Sequence, residues 1–174
     1  LTCGEIIEKL ETLSPKNYAE DWDNIGLLAG RRDKDVETIY IALDATDEVI
    51  ADAVRAGADM LLTHHPLIFK KLSRVNTDDF IGRRIVKLIQ NDISYYAMHT
   101  NFDVMGMADA AADELGLRAR EVLNVTFEDE ISKEGCGRVG RLADRMSMEA
   151  LAGLVKKRFH VPNVRVFGDL GDIV

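Results

Sequence analysis

The feature that most constrains the fold is a strand–helix–strand unit in the first half of the chain. A β-branched apolar run at residues 38–43 reads as a strand, and a helical pattern capped by Thr46 or Asp47 follows it and closes at Gly57. A second apolar run, Met60–Thr63, comes next. This order predicts two parallel strands joined by a right-handed crossover.

The same alternation continues along the chain. A helical pattern spans residues 80–91, a strand pattern follows at 93–98, and a further helix ends at Gly116. Later segments alternate like an antiparallel hairpin and are followed by a helix capped by Ser147 and a short strand at residues 164–167. We therefore predict an α/β fold, a three-layer αβα arrangement with mostly parallel strands. It occupies residues 1–124, and a second, incomplete α+β module occupies residues 125–174.

Two adjacent histidines stand where the second strand of this unit gives way to a loop. His64 and His65 precede Pro66, which biases His65 toward an extended conformation. Neighbouring extended residues point in different directions, so the two imidazoles suit two ions side by side better than one. The alternative is a pair of capping or surface histidines.

A second strand end carries a histidine and a carboxylate. His99 and Asp103 follow the strand at residues 93–98, and parallel strands open on one sheet edge, where Asp44 also falls. Imidazoles with a carboxylate suit zinc, iron, manganese or nickel. The alternative roles are helix capping, by Asp103 for the helix that follows it and by Asp44 for the helix of the first unit.

Composition narrows the possible functions. The 174 residues carry a net charge of −8 with a pI of about 5.0, which argues against a general nucleic-acid-binding protein. No apolar run is long enough to cross a membrane, and two distant cysteines suggest a reducing compartment, so we expect a cytoplasmic protein. We expect Trp22 to fill the core under a loop and His160, which has no acidic or histidine partner nearby, to lie on the surface.

Four sequence blocks carry a family resemblance. They are Trp22-Asp23-Asn24-Ile25-Gly26-Leu27, Ala42-Leu43-Asp44-Ala45-Thr46, Thr63-His64-His65-Pro66-Leu67-Ile68-Phe69 and His99-Thr100-Asn101-Phe102-Asp103. In this order they resemble the Nif-three-like, or dinuclear-metal-centre, proteins, many of which are named GTP cyclohydrolase type 2 homologues. The resemblance spans nearly the whole chain.

This resemblance implies a site for two divalent metal ions in a homo-oligomer, commonly a hexamer. By resemblance His64, His65 and Asp103 are metal ligands, and His99 is a ligand or near neighbour that could orient a water or act as a general acid or base. The family takes its remaining ligands from a C-terminal motif of His, three residues and Glu. The sequence does not contain this motif, so we expect it to be part of a longer protein.

Two classes of function fit these expectations. The first is a metal-dependent hydrolase in which an activated water attacks a nucleotide or a related small molecule, with phosphoester hydrolysis as the alternative chemistry. The second is a non-enzymatic metal-binding or regulatory scaffold whose oligomer is the functional object. Fold and site do not by themselves fix the reaction.

Overall fold

The computed structural model describes all residues, 1–174, and divides them into two compact units, Leu1–Met105 and Gly106–Val174. The first unit contains, in chain order, α1 (Cys3–Leu13), β1 (Gly26–Ala29), β2 (Ile39–Ala42), α2 (Asp47–Arg55), β3 (Met60–Thr63), α3 (Phe80–Gln90), β4 (Ser94–Ala97) and α4 (Thr100–Phe102). After a π-helical turn at Asp103–Met107, the second unit contains α5 (Ala108–Leu115), β5 (Arg118–Glu128), β6 (Lys133–Arg141) and α6 (Met148–Arg158). The first compact unit ends at Met105, earlier than the domain boundary that we predict near residue 125. That boundary concerns independent domains, and it stays a prediction.

The sheet of the first unit has the strand order β1-β4-β3-β2. As predicted, β2, β3 and β4 are parallel, with Thr63 of β3 beside Ala97 of β4. The first strand, β1, is antiparallel to β4 and places Gly26 opposite Ala97. The start of β1 therefore lies at the same sheet edge as the ends of β3 and β4.

Helices pack on both faces of this sheet because successive strand residues point to opposite sides. Leu61 and Tyr95 pack in one buried cluster with residues of α2 and α3, whereas Met60 and Tyr96 pack in another with residues of α1. All four side chains are fully buried. The αβα layering predicted from the sequence is confirmed.

Local capping sets the start of two of these helices. Thr2 and Glu5 form a capping box, in which the Thr2 hydroxyl accepts from the Glu5 N–H at 3.2 Å and Glu5 Oε2 accepts from the Thr2 N–H at 2.7 Å. The Thr46 hydroxyl accepts from the Val49 N–H at 3.1 Å, so Thr46 is the cap of α2. A cap of this kind stabilises a helix by about 1 kcal/mol.

The second unit is a helix–hairpin–helix segment. Strands β5 and β6 are antiparallel, as predicted, and α5 ends at Gly116, whose φ of 68° lies in the left-handed region that glycine tolerates. The guanidinium of Arg138 in β6 donates two hydrogen bonds to Asp109 in α5, at 2.9 and 2.8 Å. The prediction of a strand at residues 164–167 is wrong. No other strand pairs with this segment, and a β-type pattern without a partner does not form a strand.

No helix in the protein is both long and apolar enough to pass through a bilayer. The longest helices contain 11 residues, well short of the roughly 20 that a membrane span requires.

Candidate metal centre

Three histidines meet at the carboxyl edge of the sheet. The ring centroids of His64 and His65 lie 4.9 Å apart, and the ring of His99 lies 5.1 Å from the first and 5.5 Å from the second. One nitrogen from each ring falls within 4.8 Å of the other two. The three imidazoles therefore form a cluster that could hold metal.

The sheet explains why residues far apart in sequence converge here. His64 and His65 follow β3 directly, and His99 follows β4 after one further residue. Because β3 and β4 are parallel neighbours, their carboxyl ends open on one edge. The predicted convergence of the three histidines is what the structure shows.

A carboxylate orients the imidazole of His65. Its Nδ1 lies 2.8 Å from Oδ1 of Asp44, a residue that follows β2 at the same edge. An ionised carboxylate only accepts hydrogen bonds, so Nδ1 carries the proton and Nε2 keeps a lone pair. This arrangement of carboxylate and histidine is typical of metal-binding sites. Of the two roles considered for Asp44, the structure supports a place in the site, because the cap of α2 is Thr46.

A second carboxylate orients His99 in the same way. Oδ1 of Asp23 lies 3.0 Å from Nδ1 of His99, and Oδ2 of Asp23 accepts from the backbone N–H and the hydroxyl of Thr100 at 3.0 and 2.6 Å. The Asp23 side chain has no solvent-exposed surface. Burial raises the pKa of Asp23, but the hydrogen bonds from His99 and Thr100 outweigh it, so the pKa lies below its usual value.

His64 is the most enclosed imidazole of the cluster, with 14% of its side chain exposed, and its Nε2 lies 3.4 Å from Oδ1 of Asp103. Burial lowers the pKa of His64, and the neighbouring imidazoles lower it further against the opposing charge of Asp103. The imidazole is therefore neutral near pH 7, which is the form that binds metal.

Asp103 is not the N-cap of the helix that follows it, since the residue before α5 is Met107. The helical segment begins earlier, at Thr100, with His99 as its preceding residue, and Asp103 opens the π-helical turn. The N-cap alternative is therefore wrong, because a residue inside a helical segment has no free first-turn N–H groups to accept from. Turns of this type occur often at functional sites, and here the turn carries a carboxylate beside His64.

A buried tyrosine hydroxyl fixes the loop that carries the histidine pair. The Tyr95 hydroxyl lies 2.8 Å from the Thr63 hydroxyl, accepts from the Leu67 N–H at 2.7 Å, and lies 3.2 Å from the carbonyl oxygen of His65. The loop is thus tied to β4 on both sides of Pro66. Such supporting contacts hold ligating side chains in place.

The prediction that Trp22 fills the core is wrong. Trp22 is 58% exposed, and its indole lies 5.8 Å, centroid to centroid, from the ring of Phe69 and 6.1 Å from that of His99. The side chain that this turn buries is Asp23, which His99 and Thr100 hold by hydrogen bonds, and the indole stays at the surface. His160, in contrast, is exposed, as predicted.

Reasoning from residue types alone did not single out Asp23 as a residue of the site. Two signals in the sequence were available: Asp23 lies inside the first of the four family blocks, and it stands three residues before β1. Recognising its role also requires that β1 runs antiparallel to β4, which the sequence pattern did not indicate.

The donor set fits a divalent transition metal. The three imidazoles offer nitrogen, two of them are oriented by carboxylates, and a further carboxylate lies beside the third. Imidazole with carboxylate suits zinc, iron, manganese and nickel. The residues present are therefore appropriate for the metal that the sequence predicts.

Comparison with known proteins gives one family across the full length. The model of the Duf34/NIF3 (NGG1p interacting factor 3) family matches residues 1–174. A protein of Clostridium perfringens named "GTP cyclohydrolase 1 type 2 homolog" is 40% identical over 100% of this chain and 66% of its own length. One of the same name from Clostridium acetobutylicum is 36% identical over 97% of this chain and 63% of its own length. The chain thus spans just under two thirds of these relatives.

Solved structures agree with this comparison. A Bacillus cereus protein related to NIF3 superimposes with a TM-score of 0.93 at 27% identity, covering 100% of this chain and 74% of that one. Reduced HcgD from Methanocaldococcus jannaschii superimposes with a TM-score of 0.76 at 36% identity, covering 90% of this chain and 60% of that one. The predicted family and fold class are both supported.

Proposed function

This chain belongs to the Duf34/NIF3 family, and we propose that it carries the histidine-rich part of a two-metal site in a metal-dependent hydrolase. The observation that carries the proposal is the convergence of three imidazoles within 4.8 Å, two of them oriented by carboxylates. The proposal concerns the activity of the whole protein, because this chain spans only 66% and 63% of the length of the two relatives.

His64, His65 and His99 would hold metal through ring nitrogens, with Asp103 as an oxygen ligand beside His64. When bound, the metal supplies Lewis acidity, which lowers the pKa of water toward neutrality and polarises the group under attack. The chain's own residues fix this arrangement: Asp44 and Asp23 hold two imidazoles in the tautomer that leaves Nε2 available. The role of His99 as a general acid or base stays a prediction, and its contact with Asp23 favours a ligand role.

We propose two ions rather than one by resemblance to the family. The imidazole nitrogens lie within 4.8 Å of one another, and two-metal hydrolases hold their ions about 3.5–4 Å apart, so a cluster of this size is compatible with a pair of ions.

The histidine cluster is open on the side of His65. His65 has 48% of its side chain exposed and Asp44 has 52%, whereas His64 and His99 are largely enclosed. A catalytic site keeps a position open to water or substrate, and a structural site is closed by protein ligands. The hydrolase proposal therefore requires that this side stays open in the full-length protein.

For the substrate we propose a nucleotide or a related small molecule, on the strength of the names of the relatives. Attack of one water at C8 of a purine would open the imidazole ring to a formamide, and a second water would then release C8 as formate, whereas a phosphoesterase would release phosphate. We also propose a homo-oligomer, a hexamer by resemblance to the family. Light scattering on the purified full-length protein tests the assembly.

Turnover is tested on protein loaded with zinc, manganese or iron. Formate release from GTP and phosphate release from GTP and from a phosphate monoester are measured for the wild type and for His65→Ala, with His160→Ala as the matched control. Metal-dependent release that His65→Ala removes and His160→Ala keeps supports the proposal. If the metal-loaded full-length protein releases neither product, or if His65→Ala releases as much as the wild type, the hydrolase proposal is overturned and the scaffold takes its place.

A further inference from the structure

Beside the histidine cluster lie two exposed aromatic rings that the chemistry above does not use. Trp22 is 58% exposed and Phe69 is 49% exposed, and their rings form a tilted pair at 43° with 5.8 Å between centroids. Exposed large apolar side chains in contact with one another mark binding surfaces more often than scattered single ones do. We call these two side chains the aromatic platform.

The aromatic platform is attached firmly to the site. Trp22 precedes Asp23, whose buried carboxylate holds His99, and the Trp22 indole meets the His99 ring edge-on at 74°. Phe69 follows Ile68, whose carbonyl oxygen accepts a hydrogen bond from the Asn24 side chain. Both rings thus leave backbone segments fixed by hydrogen bonds, so a ligand would find them in place, with little ordering cost.

We propose that the aromatic platform binds the planar ring of an aromatic ligand by stacking and presents the edge of that ring to the histidine cluster. The 5.8 Å between the two rings is too small for a third ring to enter, so the ligand lies on their exposed faces. Its distance from the reacting centre is short, because Trp22 lies 6.1 Å from His99. This inference deepens the proposed function by naming the substrate class, and it rests on the histidine cluster being the reacting centre.

The charged residues next to the aromatic platform favour neither an anionic nor a cationic ligand. Asp21 stands before Trp22, and Lys70 and Lys71 follow Phe69, all of them exposed. The rings therefore have both acidic and basic residues next to them in the chain. Recognition by the platform depends on the aromatic plane of the ligand rather than on its charge, as in other stacking sites that accept every base.

Trp22 is the only tryptophan among these 174 residues, and it places a fluorescent reporter in the platform itself. Adenosine 5′-monophosphate is titrated into the full-length protein while the tryptophan fluorescence is followed, and ribose 5-phosphate serves as the non-aromatic probe. We expect saturable quenching by the nucleotide and none by the sugar phosphate. Phe69→Ala should weaken binding roughly tenfold, the size of one stacking contact.

Phe167→Ala is the matched control, because Phe167 is 88% exposed and lies in the other compact unit. Equilibrium dialysis with labelled nucleotide measures the affinity without relying on fluorescence, and Trp22→Ala should weaken it roughly tenfold, as Phe69→Ala does. Absence of quenching, equal quenching by ribose 5-phosphate, or equal affinities of Phe69→Ala and Phe167→Ala overturns the inference.

Cobalt binding, read from its absorption spectrum on the same preparations, separates this inference from the proposed function. Cobalt binding without nucleotide quenching overturns the aromatic platform alone. Nucleotide quenching without cobalt binding overturns the metal site and leaves the stacking surface standing.

Discussion

Replacing Asp23 with Asn tests how the fold prepares the site. The buried carboxylate accepts four hydrogen bonds: from His99 Nδ1 at 3.0 Å, from the Thr100 N–H and hydroxyl at 3.0 and 2.6 Å, and from the Asn24 N–H at 2.8 Å. An amide keeps one oxygen and substitutes a donor for the other. Whichever way it turns, the NH₂ group faces donors that the carboxylate had satisfied.

Each orientation of the amide has a cost. If the NH₂ group faces Thr100, about two hydrogen bonds to a charged acceptor are lost, each contributing about 1.5–3 kcal/mol. If it faces His99, the imidazole must accept at Nδ1 and carry its proton on Nε2, the nitrogen needed for metal. After allowing for the smaller cost of burying a neutral group, we expect a loss of roughly 3 kcal/mol in the free energy of unfolding. Metal affinity should fall about 10- to 100-fold.

The assays are urea unfolding and competition for cobalt against a chelator. Asp21→Asn is the control, because it removes the same charge at an exposed position. The lowered pKa of Asp23 also sets a pH dependence. Because the pKa of Asp23 is lower in the folded than in the unfolded protein, the ionised carboxylate stabilises the fold above about pH 4. This contribution to the free energy of unfolding is lost as the pH falls through the folded pKa. The wild type should lose this contribution in acid, and Asp23→Asn should not. Stability and cobalt affinity equal to those of Asp21→Asn would refute the reasoning.

Three further predictions follow from the contacts. Asp44→Asn should weaken cobalt binding about tenfold while changing the free energy of unfolding by less than about 1 kcal/mol, because this carboxylate is half exposed; a large loss of stability in urea would contradict it. Tyr95→Phe should cost about 1–3 kcal/mol in the same assay, because a buried N–H of the histidine loop loses its acceptor; an unchanged midpoint would contradict it. The hydrogen bond from Arg138 lowers the pKa of Asp109, so Asp109→Asn should cost about 1 kcal/mol at pH 7, where the pair is intact, and little once the pH has fallen through this lowered pKa and Asp109 is protonated. An equal cost at both pH values in denaturant titrations would count against the ion pair.

Much of the first unit could be predicted because its signals are local. The strands β2, β3 and β4 are short apolar runs separated by helices with clear caps, and this spacing fixes parallel strands. Parallel strands place their carboxyl ends together, so the meeting of His64, His65 and His99 follows from the order of elements. No knowledge of side-chain packing was needed for this step.

What the sequence did not reveal depends on long-range pairing. The direction of β1 decides that Asp23 reaches His99, and the two residues lie 76 positions apart. Trp22 was predicted in the core, but the buried side chain of this turn is that of Asp23 and the indole is exposed. The prediction of a strand at residues 164–167 failed because a long-range pairing is missing. The local pattern suits a strand, but a strand requires a partner, and this segment belongs to neither sheet.

The most direct test of the central claim is the metal content of the purified protein after loading with cobalt or zinc, measured by plasma mass spectrometry. Wild type, His64→Ala, His99→Ala and His160→Ala are compared, with far-UV circular dichroism to confirm that each variant is folded. The account predicts at least one equivalent of metal in the wild type and in His160→Ala, and a sharp loss in the other two. Metal content that is negligible in the wild type, or that is the same in all four proteins, would contradict a metal centre built from these imidazoles.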